Sequence, residues 1–181
     1  SSFALGANLA FIYIRGEYAE VADRLDAAVA AAYAAGYLGE GVLGTKIDVD
    51  LLVRRGAGAY ICGEETALLD SLEGKRGNPR LKPPFPAIQG LYDGPTLINN
   101  VETLMNLPNI VNNGPDWFKG FGTEQSTGTK VVSISGCVRR PGNYEIELGI
   151  PARDIIYGLA GGPPEGRELK AWYPGGSSAP V

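Results

Sequence analysis

The sequence predicts an α/β fold, with a parallel-sheet domain followed by a smaller module that contains a β-hairpin. Three observations predict it. Strand-like and helix-like segments alternate over residues 9–72, an irregular stretch rich in glycine and proline follows at 74–95, and two strand-like segments flank a turn at 139–142. Alternating strands and helices favour parallel pairing with right-handed crossovers, which places ligands at the carboxyl ends of the strands.

The elements of the first domain can be predicted in order. The apolar run at 9–14 is typical of a central strand that is buried on both faces. Apolar residues at helical spacing predict a helix over 18–35, which Gly36 closes. Residues 47–53 alternate between apolar and polar side chains and predict a second strand. The run GAGAYICGEETALLDSLEG at 56–74 then predicts a glycine-rich turn that leads into a second helix.

A further helix is predicted after the irregular stretch. Asn99 and Glu102 have the spacing of a capping box, which makes Asn99 the expected N-cap. The helix is expected to run to Leu107, because Pro108 ends or kinks a helix by lacking an N–H and clashing with the preceding turn.

A glycine-rich shift in composition at 112–128 predicts a linker, so that the predicted domains are 1–111 and 129–181. The second domain is predicted to contain a strand, a strand, a helix and a third strand, at 130–137, 143–148, 152–160 and 169–173. This order is that of a small β-grasp module.

Composition excludes several classes of protein. The formal net charge is −4 and lysines and arginines do not cluster, which excludes a nucleic-acid-binding surface. The apolar runs are far shorter than the roughly 20 residues of a membrane-spanning helix, so no direct membrane span is expected. Nothing at the start of the chain has the pattern of a secretion signal, which favours a cytoplasmic location. The chain starts at Ser1 rather than methionine and stops in a turn-rich stretch, so we interpret it as an internal fragment.

The two cysteines, Cys62 and Cys137, are far apart in the sequence, and histidine is absent. These residues cannot supply the usual soft ligands of a metal site, so none is expected. In a reducing compartment we expect both cysteines to be buried, unpaired thiols.

The most informative motif joins a glycine-rich turn to two adjacent carboxylates. Gly56, Gly58 and Gly63 remove side chains where the backbone turns tightly or approaches a ligand. Glu64 and Glu65 fall at the N-terminus of the predicted helix, where carboxylates are stabilised and free backbone N–H groups can meet a polar ligand. A capped core helix without a ligand explains the same pattern, so local physics leaves both interpretations open.

Two other patches combine polar groups with a restrained backbone. The prolines of LKPPFPA hold Lys82 and Phe85 in a fixed relation, which suits a ring that stacks on a nucleobase and an ammonium group that meets a phosphate or ribose oxygen. A Phe85 that packs on the core is the alternative. Asn99, Asn100 and Thr103 place amide and hydroxyl groups around a helix start, where plain capping is the alternative.

The run at 56–74, together with LKPPFPAIQGLYDGPTLINNVETLMNLP at 81–108, resembles the NADH-oxidising flavoprotein subunit of respiratory complex I, which is the F subunit of NADH-quinone oxidoreductase. Residues 9–17 and 128–181 are also similar to that family, so the resemblance covers most of the chain. The flavoprotein subunits of NAD-reducing hydrogenases and NAD-linked formate dehydrogenases carry similar runs.

The resemblance implies a partial Rossmann-like domain that binds FMN and NADH, followed by a soluble-ligand-binding β-grasp (SLBB) module. It implies that six residues line the FMN site, namely Tyr60, Gly63, Glu64, Asn99, Asn100 and Thr103. It also implies that Phe85 stacks on the adenine of NADH, that Lys82 lies beside the dinucleotide and that Glu65 reaches its nicotinamide side as the expected catalytic residue. Neighbouring helical residues point about 100° apart, so Glu64 and Glu65 are expected to face different groups.

The function implied is hydride transfer from NADH to FMN, followed by single-electron transfer to iron–sulfur clusters. The implied partners are the other subunits of a membrane-bound complex, an iron–sulfur subunit among them, with this chain in the peripheral arm on the cytoplasmic face. The family's glycine-rich flavin-phosphate loop and its cysteine-rich segment for a 4Fe-4S cluster are absent from these residues. We therefore expect this chain alone to be inactive. Two alternatives remain, a non-catalytic module that binds a ligand or partner, and the flavoprotein subunit of a hydrogenase or formate dehydrogenase.

Overall fold

The computed structural model describes residues 1–176 and 179–180. The chain divides into two compact units, residues 1–99 and residues 100–181. Each unit is described separately below.

The first unit has the predicted order of strand, helix, strand and helix. A short helix α1 (Ser2–Leu5) precedes strand β1 (Leu9–Ile14), helix α2 (Ala19–Ala34), strand β2 (Asp50–Arg55) and helix α3 (Glu65–Leu72). The two strands pair in parallel, with Leu9 opposite Asp50 and Ile14 opposite Arg55. The carboxyl ends of both strands therefore lie at the edge of the sheet from which the chain continues to α3.

The prediction of a central strand buried on both faces is wrong for the described chain. Strand β1 pairs only with β2 there, and its residues are exposed or half-buried. An apolar run shows that a strand could be buried on both faces, but it does not show how many strands lie beside it. In a two-stranded sheet each strand has one edge without a neighbour. The buried apolar side chains of this unit lie mostly on the helices and turns, at Ala22, Val42, Val49, Cys62, Ala67 and Leu69.

Helix α2 ends as the glycine predicts. Gly36 has a φ of 73°, in the left-handed region that glycine enters without a steric penalty. Its amide donates to the Tyr33 carbonyl at 3.0 Å, and the Tyr37 amide donates to the Ala32 carbonyl at 2.9 Å. These two bonds form a Schellman motif, which satisfies carbonyls that the helix would otherwise leave open.

The second unit begins with helix α4 (Val101–Asn113), followed by the short helix α5 (Pro115–Lys119) inside the predicted linker. The N-cap is Asn100 rather than the expected Asn99, because Asn100 Oδ1 accepts from the Glu102 amide at 2.8 Å. The Glu102 carboxylate does not reach back as a capping box requires, but accepts from the Val131 amide at 2.7 Å. The helix also continues through Pro108, which removes one internal hydrogen bond without ending it.

Strands β3 (Thr129–Ile134) and β4 (Gly142–Glu147) form the predicted antiparallel hairpin, with Thr129 opposite Glu147. The predicted helix after them is a π-helical segment, α6 (Asp154–Leu159). Ile146, Ile156 and Ala160 are buried.

Two expectations for this unit are wrong. Residues 169–173 do not form a strand, since no neighbouring strand among the described residues supplies the hydrogen bonds that an extended segment needs. Cys137 is an exposed thiol, whereas Cys62 is buried as expected, and both are free. Cys137 follows the end of β3 in the hairpin connection, where a side chain faces solvent.

Candidate functional site

The N-terminus of α3 is organised by Glu64. Its backbone is extended, and its side-chain Oε2 accepts from the amides of Thr66 and Ala67 at 2.9 Å each and from the Thr66 hydroxyl at 2.6 Å. The sequence suggested that these amides would be free for a ligand. They are instead occupied by the N-cap carboxylate, which satisfies the donors that a helix start leaves open.

Burial acts to raise the pKa of Glu64, but the hydrogen bonds from the Thr66 side chain and the Ala67 amide, together with Lys82, outweigh it and hold the pKa below its usual value. The side chain therefore stays ionised around neutral pH. An ionised carboxylate accepts hydrogen bonds and cannot donate one, which fixes the direction of every bond that it makes here.

Glu64 and Glu65 converge on one cation. Lys82 Nζ lies 2.5 Å from Glu65 Oε1 and 3.2 Å from Glu64 Oε1. The expectation that the two carboxylates must face different groups is therefore wrong for their geometry. The angular separation of helical neighbours does not apply, because Glu64 is a non-helical N-cap with ψ near 133° and only Glu65 lies inside α3. Lys82 donates hydrogen bonds to Glu65 and to Glu64. Both bonds raise the pKa of Lys82, and the bond to Glu65 has the larger effect.

The loop that carries Lys82 also presents Phe85 to solvent. The peptide bonds before Pro83 and Pro84 are cis, and Pro86 is buried. Phe85 is 55% exposed, which disfavours the alternative that its ring packs on the core. Its carbonyl accepts from the amides of Ile88 and Gln89, so a tight turn closes the loop directly after the ring.

Glycine is found at the three positions of the motif for different physical reasons. A Cβ on Gly56 would lie 2.5 Å from the Tyr13 hydroxyl, so this glycine permits packing between the ends of β1 and β2. Gly58 has a φ of 87°, which a side chain would strain. A Cβ on Gly63 would meet nothing within 4 Å, so the space beside it is open. The space beside Gly58 is open as well, so Gly58 and Gly63 both fit the idea of a surface that a ligand can approach, whereas Gly56 does not.

The remaining predicted residues are placed as follows. Tyr60 is 81% exposed in the 3₁₀ turn Tyr60–Gly63, close in sequence to Glu64. Asn99 ends the first unit, whereas Asn100 and Thr103 belong to the second, and all three are exposed. Within the first unit the structure brings Glu64, Glu65 and Lys82 together, with Phe85 on the same loop as Lys82. In the described chain the Asn100 side-chain NH₂ has no hydrogen-bond partner, while its oxygen caps α4.

Sequence reasoning missed the group of residues that supports the Lys82 loop. Arg80 Nε donates to Asp70 Oδ1 at 2.7 Å and Nη1 donates to the Gly90 carbonyl at 2.9 Å. Nη2 lies 2.8 Å from Glu73 Oε1, close enough for an ion pair although its N–H is not aligned as a hydrogen bond. We call Asp70, Glu73 and Arg80 the arginine cluster. The signal available in the sequence was the pair of acidic residues spaced by three, Asp70 in α3 and Glu73 at its C-cap, followed by a basic residue in an irregular stretch.

A cavity of about 440 Å³ adjoins the arginine cluster. It is lined by Thr66, Glu73, Lys75, Arg80, Leu81, Pro84, Gln89, Tyr92 and Asp93. The loop that holds Lys82 and Phe85 thus borders a cavity and is anchored at its start through Arg80.

Acid titration of Glu73 provides a first test of this anchoring. The hydrogen bond from Lys75, the adjacent Arg80 guanidinium and the hydrogen bond from the Tyr92 amide, against a penalty from burial, lower the Glu73 pKa to about 2. A carboxylate with a lowered folded-state pKa adds stability above its unfolded pKa and loses it as the pH falls through the folded value. We expect Glu73→Gln to lower the free energy of unfolding at pH 7 by about 2 kcal/mol, and the difference from wild type to vanish near pH 2. Urea unfolding followed by circular dichroism between pH 7 and pH 2 measures it, and a difference that is constant over this range contradicts the assignment.

Two further features bear on the kind of site. Among the described residues no group of three or more cysteine or carboxylate side chains could hold a metal ion. No helix in the described chain is long and apolar enough to cross a membrane.

The chain matches two family models. Residues 1–109 match the Nuo51 FMN-binding domain and residues 131–181 match the SLBB domain. NADH-quinone oxidoreductase F subunit 2 of Rhizobium meliloti (strain 1021) is 55% identical over the whole of this chain, which covers 43% of that relative. The NADH-quinone oxidoreductase F subunit of Escherichia coli (strain K12) is 50% identical over 98% of this chain, which covers 40% of it. The chain therefore spans less than half the length of these relatives.

A solved structure is also similar. The crystal structure of an NAD⁺-reducing [NiFe]-hydrogenase in the H₂-reduced state matches 90% of this chain with a TM-score of 0.76 and 42% identity, over 27% of the hydrogenase chain. The matches confirm the α/β domain followed by an SLBB module. The chain belongs to the Nuo51 FMN-binding domain family, the family of the NADH-quinone oxidoreductase F subunits.

Proposed function

We propose that this chain is part of the NADH-oxidising flavoprotein subunit of an NADH:quinone oxidoreductase. The observation that carries the proposal is the convergence of Glu64 and Glu65 on Lys82, on the same loop as the exposed Phe85, in a chain of this family. A dinucleotide needs a flat apolar surface for its base and a cation for its phosphates, and one loop offers both.

The roles proposed for the NADH-binding residues are carried over from the family, and the chemistry of the side chains supports them. Phe85 stacks on the adenine, and Lys82 turns from the carboxylates to the pyrophosphate or ribose oxygens. Glu65 then orients the nicotinamide side as the proposed catalytic residue. In the unliganded protein Lys82 neutralises two carboxylates that would otherwise repel the phosphates of the dinucleotide.

The donor set also fits FMN. The proposed FMN-binding residues are Tyr60, Gly63, Glu64 and Asn99 in the first unit, and Asn100 and Thr103 in the second. The open space beside Gly63 lets the backbone approach a ring, and the Asn100 NH₂, which has no partner in the described chain, can donate to a flavin carbonyl or phosphate. When bound, FMN supplies hydride acceptance and the release of electrons one at a time. The chain's own residues bind and orient NADH, and none has to act as a covalent nucleophile.

The partners proposed are an iron–sulfur subunit and the other subunits of a membrane-bound complex, with this chain in the peripheral arm at the cytoplasmic face. The 4Fe-4S cluster of the whole protein would require ligands outside these residues. The hydrogenase match supports a second candidate, the flavoprotein subunit of an NAD⁺-reducing hydrogenase. Identities of 55% and 50% to the F subunits against 42% to the hydrogenase favour the first.

A substitution at Phe85 tests the proposed binding mode. Stacking of a base on an aromatic ring is worth about 1–3 kcal/mol, so Phe85→Leu in the full-length, FMN-loaded protein is expected to raise the apparent Kd for NADH about tenfold. Anaerobic stopped-flow measurement of flavin reduction gives this Kd. The matched control is Tyr37→Leu, which removes another exposed ring and is expected to leave it unchanged.

The same experiment with reduced nicotinamide mononucleotide, which has no adenine, separates stacking from a general loss of structure. Phe85→Leu is expected to bind this analogue as the wild type does. An equal loss for both reductants, or no loss for either, would rule out the adenine role of Phe85.

A further inference from the structure

Thr66 is a buried polar side chain of the core, with only 1% of its surface exposed. It lies in the first turn of α3, at the inner wall of the cavity beside the arginine cluster. Its hydroxyl makes two short hydrogen bonds, one to each of the segments that build the candidate NADH site. A buried hydroxyl of this kind requires an explanation beyond packing, since valine would fill the same volume.

The direction of both bonds is determined by chemistry. The Arg80 backbone N–H can only donate, and it does so to Thr66 Oγ1 at 2.7 Å. The single hydroxyl proton is then left for Glu64 Oε2, 2.6 Å away, whose ionised carboxylate can only accept. The result is a series of two hydrogen bonds with a fixed direction, from the Arg80 N–H to the Thr66 hydroxyl and from that hydroxyl to the Glu64 carboxylate.

These linked hydrogen bonds connect the loop that carries Lys82 to Glu64, the carboxylate that Lys82 contacts. Arg80 stands two residues before Lys82, so the bond to its amide fixes where the lysine loop leaves the arginine cluster. At the other end, Thr66 and the two helix amides hold Oε2 of Glu64, which leaves Oε1 to face Lys82 Nζ. Thr66 therefore constrains the lysine and its carboxylate partner at the same time.

We propose that Thr66 is a positioning residue for NADH binding, which sets the place of the Lys82–Phe85 loop relative to Glu64 and Glu65 through its two hydrogen bonds. The inference rests on the proposed function. Because the loop would bind the adenosine and phosphate part of NADH, remote from the reacting carbon, its displacement weakens substrate and transition state alike. Such a loss appears in KM and not in kcat.

The test uses Thr66→Val in the full-length, FMN-loaded protein. Loss of a hydrogen bond to a charged group is expected to raise the KM for NADH about tenfold, with kcat changed less than about twofold. Thr66→Ser keeps the hydroxyl and is expected to restore KM to within about twofold of wild type. The matched control is Thr129→Val in the other unit, which removes a hydroxyl–carboxylate bond of 2.8 Å to Glu145 and is expected to leave KM unchanged.

Hydrogen exchange in the absence of NADH provides a readout that does not depend on activity. In Thr66→Val the Arg80 amide loses its acceptor and is expected to exchange faster, and Thr66→Ser slows it again. Amides 68–72 inside α3 keep their helical acceptors, beginning with the Leu68 bond to the Glu64 carbonyl at 2.9 Å, and are expected to stay protected. Faster exchange in both segments would show a general loosening of the helix and contradict the positioning role.

The outcomes distinguish this inference from the proposed function. If the wild-type protein oxidises NADH and Thr66→Val lowers only the melting temperature, the role of Thr66 is contradicted and the proposed function is not. A Thr66→Ser variant as impaired as Thr66→Val contradicts it as well. A wild-type protein whose flavin NADH does not reduce contradicts the proposed function and this role with it. If Thr66→Val does not accumulate, Thr66→Ala removes the same hydroxyl without the branched side chain and is expected to give the same KM and exchange results.

Discussion

Replacing Lys82 by methionine is expected to lower kcat/KM for NADH about 100-fold in the full-length protein. Two effects act in the same direction. The variant loses the cation proposed to meet the phosphates of the dinucleotide, and it leaves Glu64 and Glu65 without the ammonium group that both contact. The phosphates then approach two uncompensated carboxylates, and repulsion replaces attraction.

Lys46→Met is the matched control for this prediction. Lys46 is exposed, has no ion-pair partner in the described chain, and its substitution changes the net charge equally. It is expected to leave kcat/KM within about twofold, because the field of an exposed surface charge is screened within about 10 Å at 0.1 M salt. Equal losses in the two variants would show that Lys82 acts only through net charge and would contradict its proposed place at the site.

Replacing Arg80 by methionine is expected to lower the free energy of unfolding by about 3 kcal/mol. The side chains of Asp70 and Glu73 are only 16% and 5% exposed, so the variant leaves two carboxylates out of water without their shared cation, and only Glu73 keeps a second one, Lys75. The Gly90 carbonyl also loses its donor. Removing one partner of a buried ion pair costs more than the pair contributes, because the remaining charge is poorly solvated.

Arg24→Met is the matched control, because the Arg24–Glu20 pair joins side chains that are 76% and 82% exposed. Its expected cost is about 0.5 kcal/mol or less. Urea unfolding of both variants gives the comparison. A double-mutant cycle adds a second criterion, since Arg80→Met is expected to cost less in a Glu73→Gln background, where one of the stranded charges is already neutral. Additive effects would contradict the coupling of these residues.

The features that sequence reasoning predicted well depend on neighbours along the chain. The Schellman motif at Gly36 needs only a helix end and a residue that tolerates a positive φ, so local patterns suffice to predict it. The N-terminus of α3 was predicted for the same reason, since carboxylates favour a helix start. The prediction of the N-cap at Asn99 was one residue off, because two adjacent asparagines are equally good caps and only the three-dimensional path of the chain selects Asn100.

The features that it missed depend on partners distant in sequence. The predicted strand at 169–173 had the right composition, but a strand requires a neighbour to share hydrogen bonds. Arg80 meets Asp70 and Glu73 across an irregular loop whose path no periodicity reveals. The convergence of Glu64 and Glu65 on Lys82 was missed because helical geometry was assumed for a residue that lies just outside the helix.

The proposed function requires this chain to form an NADH site next to a flavin. The most direct measurement is an anaerobic titration of the full-length, FMN-loaded protein with NADH, followed through the absorbance of the oxidised flavin. We expect near-stoichiometric NADH to bleach the absorbance, with two electrons taken by the flavin and one by each 4Fe-4S cluster that is present, and we expect Lys82→Met to require a large excess. A flavin that dithionite bleaches but NADH leaves oxidised would contradict the claim and would favour a module that binds a ligand or partner without redox chemistry.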